Sequence, residues 1–215
     1  MQKIKEPKFR LIIFDMDNTL YEFRNNEKDI YKTAFFDEVR RNAIVFIADK
    51  LSKNVDEAER IYNDTLPDTS IRLEKDFGIP VSEYFSATWN VDPSRYVDQN
   101  PELRALLANL SCKKVLLTAA PRAWAERVIK HLNIYDMFDA LYFGDAKIRK
   151  PSAESFEKIL EEFGVAAKDT LFIDDEPKCI LAARRLGIKT ALRRDTDEQI
   201  GDYTLKKIFD ISNIV

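Results

Sequence analysis

Histidine and cysteine are scarce, with one histidine and two cysteines among 215 residues. Ser-His-Asp and Cys-His catalysis both need a histidine beside the nucleophile, and multi-histidine metal sites need more than one. His131 falls in a stretch with a helical pattern, where a structural side chain is the ordinary interpretation. Cys112 and Cys179 lie far apart in the sequence, so neither a disulfide framework nor a cysteine-based metal site is indicated.

Long apolar runs and an excess of one charge are also missing. The longest purely apolar run, residues 43–48, is far shorter than a membrane span. Residues 1–7 are polar and lack the apolar core of a signal peptide. With 34 Lys and Arg against 37 Asp and Glu, the net charge of -3 gives no general attraction to nucleic acid polymers or membranes. We therefore expect a cytoplasmic globular protein, whose oligomeric state the sequence does not indicate.

The sequence does contain an alternation of strand and helix signals. Four consecutive apolar residues, 11–14, predict a strand that is buried on both faces. Further strands are predicted at residues 114–118, 140–144, 170–174 and 189–192, with amphipathic helical patterns between them. This alternation predicts an α/β fold, a doubly wound parallel sheet with helices on both faces.

A long helical segment interrupts this alternation after the first strand. Residues 22–91 carry helical rather than strand patterns, and the polar segment 90–101 with its two prolines suits a return to the main domain. A chain of 215 residues with 45% hydrophobic residues is large enough for a core domain and a small insert. We expect residues 1–21 and 92–215 to form the core domain and residues 22–91 an inserted helical domain.

Polar side chains follow the ends of the predicted strands. In a doubly wound sheet, ligands bind outside the carboxyl ends of the strands. The sequence places four carboxylates, a hydroxyl and an ammonium at these strand ends. This set suits Mg²⁺ and a phosphoryl group, because carboxylate oxygens bind the ion while the hydroxyl and the ammonium donate hydrogen bonds to phosphate oxygens. The residues are Asp15, Asp17, Thr118, Lys150, Asp174 and Asp175.

Each of these residues also has a plain structural alternative. Thr118 could be a helix N-cap, and Lys150 could be a solvated loop lysine. Asp174 and Asp175 could cap the helix that follows them. The alternatives would all have to hold at once for the group to have no function.

The order of these residues resembles the four motifs of the haloacid dehalogenase (HAD) superfamily. The matching motifs are Asp15-x-Asp17-x-Thr19-Leu20, Thr118 at a strand end, Lys150-Pro151 and Asp174-Asp175. The resemblance covers essentially the whole chain, and the helical insert takes the position of a cap domain. It implies a HAD-like Rossmannoid core and a phosphatase that works through an aspartyl-phosphate intermediate on a small phosphorylated substrate.

The resemblance also implies a role for each matching residue. Asp15 would attack phosphorus, while Asp17 would protonate the leaving oxygen and later take a proton from water. Thr118 would bind a phosphoryl oxygen, and Lys150 would offset negative charge. Mg²⁺ would be the cofactor. Its ligands would be Asp15, Asp174, Asp175 and the backbone carbonyl of Asp17, and of the Asp174–Asp175 pair Asp175 is favoured as the direct ligand.

Three stretches resemble, more narrowly, the pyrimidine 5'-nucleotidase-type branch of the superfamily: residues 17–21, 100–107 and 120–125. This resemblance makes nucleoside 5'-monophosphates the expected substrates. Phosphatases of sugar or lipid phosphates with the same core residues are the alternative. Five insert or linker residues are candidates for choosing the substrate: Tyr21, Phe23, Asp68, Thr69 and Arg72.

Two departures from the family pattern support a third alternative, a weakly catalytic binding or regulatory protein. Ala119 stands where members often carry Asn, which removes one possible side-chain contact to phosphate. Glu176 stands where a small polar residue is usual, and it adds negative charge beside the predicted metal site. The catalytic set itself is intact, so an enzyme remains the main expectation.

Two other motif matches are rejected on their residues. The segment from Asp15 begins like an EF-hand loop, but Leu20 replaces the turn glycine and Asn26 the bidentate glutamate. Cys179 and Arg185 have the Cys-x5-Arg spacing of cysteine phosphatases, but the residues between them favour a helix and include no glycine to hold phosphate. Cys179 is therefore expected to be a small packed residue.

Overall fold

A six-stranded, all-parallel sheet forms the centre of the molecule, in the order β3-β2-β1-β4-β5-β6. The computed structural model describes residues 7–24, 27 and 29–215. The N-terminal residues 1–6 and Asn26, on which the signal-peptide and EF-hand arguments partly depend, lie outside the described residues. The strands are β1 (Leu11–Phe14), β2 (Lys113–Leu117), β3 (Ala140–Tyr142), β4 (Thr170–Asp174), β5 (Lys189–Arg193) and β6 (Tyr203–Leu205).

The first strand occupies the middle of the sheet. Leu11 pairs with Lys113 of β2 on one side and with Thr170 of β4 on the other. All four residues of β1 are fully buried, which explains their unbroken apolar pattern. The chain first builds outward through β2 and β3, then crosses to the other side through β4, so the direction of winding reverses beside β1.

Four helices cover the two faces of the sheet: α5 (Pro101–Ala108), α6 (Arg122–His131), α7 (Ala153–Phe163) and α8 (Pro177–Arg185). Ile12 and Phe14 of β1 share a core with α5 and α6, which contribute Leu103 and Trp124 among others. Leu11 and Ile13 face the opposite core, with residues of α7 and α8. The alternation of side chains along β1 thus supplies both cores, and the predicted doubly wound α/β fold is confirmed.

The helical insert follows β1 and consists of α1 (Ala34–Leu51), α2 (Val55–Thr65), α3 (Thr69–Phe77) and α4 (Val81–Thr88). Ile47, Leu73 and Tyr84 belong to a separate apolar cluster among these helices. The first turn of α1 instead packs on the core shared by β1, α5 and α6. There the ring centroids of Phe35 and Trp124 are 4.1 Å apart. None of the helices in the described part of the chain is both long enough and apolar enough to span a bilayer.

Local sequence features explain where several insert helices begin and end. The Thr33 hydroxyl accepts a hydrogen bond from the Phe36 N–H and caps α1. Asn54 and Glu57 form a reciprocal capping box at the start of α2. Gly78 ends α3 in the left-handed conformation, with φ of 70°, a region that favours glycine.

Candidate active site

Asp15 stands directly after β1 and is held by the sheet. Its N–H donates to the carbonyl of Ile173 in β4 at 2.9 Å, and the residue is only 4% exposed. Its Oδ2 accepts a hydrogen bond from the Thr19 hydroxyl at 2.8 Å, and its Oδ1 contacts the ammonium of Lys150. Both carboxylate oxygens are therefore held in fixed orientations at the carboxyl ends of the strands, at the point where the winding of the sheet reverses.

Lys150 is a buried cation between two buried carboxylates. Its Nζ lies 2.7 Å from Asp174 Oδ2 and also contacts Asp15, with 4% of the lysine side chain exposed. Burial alone would lower the pKa of this ammonium, but the charges of Asp15 and Asp174 raise it above its usual value. Lys150 is thus protonated at neutral pH, and the alternative of a solvated loop lysine is wrong.

Three carboxylates form a group that could hold a metal ion. Asp15, Asp174 and Asp175 each offer one oxygen, and these oxygens lie within 4.8 Å of one another. Burial, with the nearby carboxylates, raises the pKa of Asp174 and of Asp175, because several negative charges share a space with little water. A bound dication would relieve this repulsion, and carboxylate oxygens are the ligands that Mg²⁺ prefers, so these residues fit the ion.

Asp17 lies outside that group and has a different environment. Its Oδ1 accepts two hydrogen bonds, one from the Tyr21 hydroxyl and one from Trp124 Nε1–H at 3.0 Å. Burial raises the pKa of the Asp17 carboxyl to about 6, and the charge of Asp15 adds to this effect. Sequence reasoning did not identify Trp124 as a partner, and the sequence carries no signal for it because Trp124 lies 107 residues away.

Thr118 is fixed in the loop after β2. Its N–H donates to the Tyr142 carbonyl at 3.0 Å, and its hydroxyl oxygen accepts from the Ala120 N–H at 3.0 Å. The next helix, α6, starts after Pro121 without a side-chain cap, so Thr118 is not its N-cap. Thr118 is almost fully buried and is not among the described residues that line the cavity above the carboxylates, whereas Ala119 and Ala120 are.

Gly144 allows this loop to adopt its position. A Cβ on Gly144 would lie only 1.8 Å from the carbonyl oxygen of Ala119. The Gly144 N–H also donates to the Ala120 carbonyl at 2.8 Å. Because any side chain would collide with backbone, glycine is required for this close approach of the two loops.

A cavity of about 290 Å³ opens above the carboxylates. Its floor includes Asp15, Lys150 and Asp175, and residues within 22–91 supply an apolar side. The members of this side, named here the aromatic wall, are Ile30, Tyr31, Phe36 and Trp89. Within it, the rings of Tyr31 and Phe36 meet edge to face at 4.8 Å, and Phe36 and Trp89 at 6.4 Å between centroids.

The five residues proposed from the sequence to choose the substrate do not line this cavity: Tyr21, Phe23, Asp68, Thr69 and Arg72. Phe23 is buried in the main core and stacks on Trp124 at 6.3 Å between centroids. Phe36 in the first turn of α1 does line the cavity, and helical periodicity does not reveal which residue of an apolar face borders a cavity.

Glu176 and Cys179 also border the cavity. The Glu176 carboxylate lies 3.3 Å from Lys178 Nζ, so part of its added charge is compensated. The Glu176 N–H donates to Asp174 Oδ1 at 2.7 Å, and Asp174 also contacts Lys150. Glu176 precedes the first residue of α8, so this bond does not cap an N–H of the helix itself. Burial raises the pKa of the Cys179 thiol to about 12, so this side chain is a neutral packed residue, as expected.

A cluster of carboxylates at the point where a parallel sheet reverses its winding is the place where α/β proteins of this architecture bind their ligands. The family model for haloacid dehalogenase-like hydrolases matches residues 9–187 of the chain. The chain belongs to this family of hydrolases.

Individual relatives agree with this assignment. A phosphoglycolate phosphatase of Aquifex aeolicus is 26% identical over 214 residues, which are 96% of each chain. A validoxylamine A 7'-phosphate phosphatase of Streptomyces hygroscopicus subsp. limoneus is 23% identical, with 84% of this chain and 83% of the relative covered. The solved structure of a HAD phosphatase from Thermococcus onnurineus shares the fold, with a TM-score of 0.66, 18% identity and coverage of 95% of this chain and 97% of the other.

Proposed function

We propose that the chain is a Mg²⁺-dependent phosphomonoesterase that acts on small phosphorylated metabolites through an aspartyl-phosphate intermediate. The observation that carries the proposal is the arrangement around Asp15, a buried carboxylate with oriented oxygens beside Lys150 and the Asp174–Asp175 pair. Relatives named as phosphatases support the same reaction class. Polymeric nucleic acid is not an expected partner, and a cytoplasmic location stays a prediction.

The first half of the reaction transfers the phosphoryl group to Asp15. One carboxylate oxygen of Asp15 forms a bond to phosphorus while the bond from phosphorus to the ester oxygen breaks. Asp17 donates a proton to that departing oxygen, and an alcohol leaves. In the second half, water attacks the phosphorus of the aspartyl-phosphate, Asp17 accepts the water proton, and inorganic phosphate and free Asp15 are formed.

Charge compensation is the role we propose for the surrounding groups. Asp15, Asp174 and Asp175 would hold Mg²⁺ together with the backbone carbonyl of Asp17. The bound ion would withdraw charge from the phosphoryl oxygens and offset the carboxylates. Lys150 would lower the charge that gathers on Asp15 and the phosphoryl group. Thr118 does not line the cavity, so it would need a small movement of its loop to donate a hydrogen bond to a phosphoryl oxygen.

The insert is proposed to act as a cap that covers the site. We propose residues 1–21 and 92–215 as the core domain and residues 22–91 as the cap. The separate apolar cluster of α1 to α4 and the position of Trp89 beside the carboxylates support this division. Such a cap would exclude water and select the leaving group.

Nucleoside 5'-monophosphates are the substrates we propose within this class. The aromatic wall supports them, because planar rings offer a stacking surface to a base. Sugar or lipid phosphates are the alternative, and the two relatives named above, a phosphoglycolate phosphatase and a validoxylamine A 7'-phosphate phosphatase, favour small phosphorylated metabolites other than nucleotides. Comparing kcat/KM for nucleoside monophosphates, phosphoglycolate and sugar phosphates would distinguish the two, and Trp89→Ala should raise KM for nucleotides alone.

The test of the reaction class is hydrolysis of a generic aryl phosphate with and without Mg²⁺. Asp15→Asn should abolish metal-dependent turnover, while the matched control Asp49→Asn, on the exposed surface of α1, should not change it. Asp175→Asn should weaken Mg²⁺ binding measured by calorimetry. A folded wild-type protein that binds Mg²⁺ but hydrolyses no phosphate ester in a broad panel would instead support the binding-protein alternative.

A further inference from the structure

The two oxygens of Asp17 have unlike surroundings. Oδ1 accepts hydrogen bonds from both the Tyr21 hydroxyl and Trp124 Nε1–H. Oδ2 accepts none from the described residues, and Asp17 lines the cavity in which the substrate would lie. One oxygen is therefore held by the protein, and the other is available to a ligand.

This asymmetry determines which oxygen carries the proton. An indole N–H donates and cannot accept, so a proton on Oδ1 would face the Trp124 N–H. Two donors at Oδ1 also occupy the two lone pairs of a carbonyl oxygen. The protonated form of Asp17 therefore has its proton on Oδ2.

We propose that Tyr21 and Trp124 are positioning residues that place the acidic proton of Asp17 on Oδ2, toward the leaving group of the substrate. The proposal rests on the proposed phosphatase function. In the first half-reaction, the Oδ2 proton moves to the ester oxygen as its bond to phosphorus breaks and the Asp15–phosphorus bond forms. In the second, Oδ2 regains a proton from the attacking water.

Packing holds both donors in place. Trp124 is fully buried in α6, where its ring stacks on that of Phe23 at 6.3 Å and lies tilted against that of Phe35 at 4.1 Å between centroids. Tyr21 forms a parallel backbone bridge with Asp17, and its ring meets Phe23 edge to face at 5.5 Å. Both donors are buried and packed against aromatic rings, so we infer that the orientation exists before substrate binds.

The test uses two esters that differ in their need for an acid. A nitrophenyl phosphate releases a stable anion, whereas an alkyl phosphate releases an alkoxide that must be protonated. Tyr21→Phe removes only a hydroxyl and should lower kcat/KM, which reports the first half-reaction, by about tenfold or more for the alkyl ester and by less than about twofold for the nitrophenyl ester. Tyr62→Phe makes the same change in the buried cluster of the insert and should alter neither ester.

A double-mutant comparison separates positioning from general damage. With Asp17→Asn as background, Tyr21→Phe should produce no further selective loss on the alkyl ester, because the acid is already absent. Equal losses on both esters, or no loss on either, would overturn the proposal while leaving the phosphatase function intact. Failure of the folded wild-type protein with Mg²⁺ on both of these esters and on a broad panel of phosphate esters would refute the proposed function and this inference together.

Discussion

Replacing Lys150 by Met would test whether this ammonium compensates the buried acidic cluster. The substitution keeps an apolar chain of similar length but leaves Asp15 and Asp174 without their buried cation, with 5% and 0% of their side chains exposed. Removing one partner of a buried ion pair typically costs about 3–5 kcal/mol. We therefore expect the metal-free variant at pH 7 to be strongly destabilised.

A second estimate limits that loss. One carboxyl could relieve the uncompensated charge by taking up a proton, which costs about 4 kcal/mol at pH 7 for a group of ordinary pKa and about 1.5 kcal/mol at pH 5. The loss per unpaired carboxylate should therefore not exceed about 4 kcal/mol at pH 7 and should shrink as the pH falls. For a chain of this size, a loss of 3–4 kcal/mol corresponds to a decrease of roughly 6–16 °C in Tm.

Urea denaturation and thermal unfolding in EDTA would measure this effect. Lys147→Met, at an exposed position in the same loop, is the matched control and should change stability by less than about 0.5 kcal/mol. Added Mg²⁺ should reduce the difference between Lys150→Met and wild type, because the ion offsets the same carboxylates. If the two variants were equally stable in EDTA at pH 7, our account of Lys150 would be wrong.

Three further outcomes follow from the packing and charges. Gly144→Ala should lose activity and about 1–3 kcal/mol of stability, because its Cβ would meet the Ala119 carbonyl; unchanged kinetics would contradict this. Leu73→Ala should cost about 2–5 kcal/mol in urea denaturation, since the side chain is fully buried in the insert, whereas Ile71→Ala at an exposed position should cost far less. In EDTA, the free energy of unfolding should fall as the pH rises from about 4 through about 6. Burial raises the folded-state pKa of Asp17, so over this range the folded protein loses a proton that it bound more tightly than the unfolded chain did. A flat pH profile would contradict this.

The central part of the fold could be predicted because its strands are covered on both faces. β1 and β4 are fully buried strands and give continuous apolar signals in the sequence. β6 was missed since it has only three residues and lies at the edge of the sheet, where two of them are half-buried. β3 is an edge strand of the same length, but Phe143 extends its apolar run to four residues, whereas Thr204 interrupts the run of β6.

The candidate site, like the fold, was predicted from the sequence only in part. Residues at strand ends, such as Asp15 and Asp174, were found because the topology of a parallel sheet brings those ends together. The contact of Trp124 with Asp17 and the position of Trp89 depend on how α6 and the insert pack against the core. Periodicity assigns such side chains to an apolar face, and only tertiary packing determines which of them reaches a polar partner or a cavity.

The charges around the cavity also determine the order in which its ligands can bind. Within the described part of the chain, Asp15, Asp17, Asp174 and Asp175 lie around one buried ammonium, that of Lys150, so the ionised site is negative before any ligand enters. A phosphate dianion would add repulsion in a space of low dielectric, whereas a divalent cation would first neutralise part of it. Calorimetry should therefore detect inorganic phosphate binding only when Mg²⁺ is present. Equal phosphate affinity in EDTA would mean that Lys150 and the backbone alone balance the anion, and the metal would then have no part in holding the substrate.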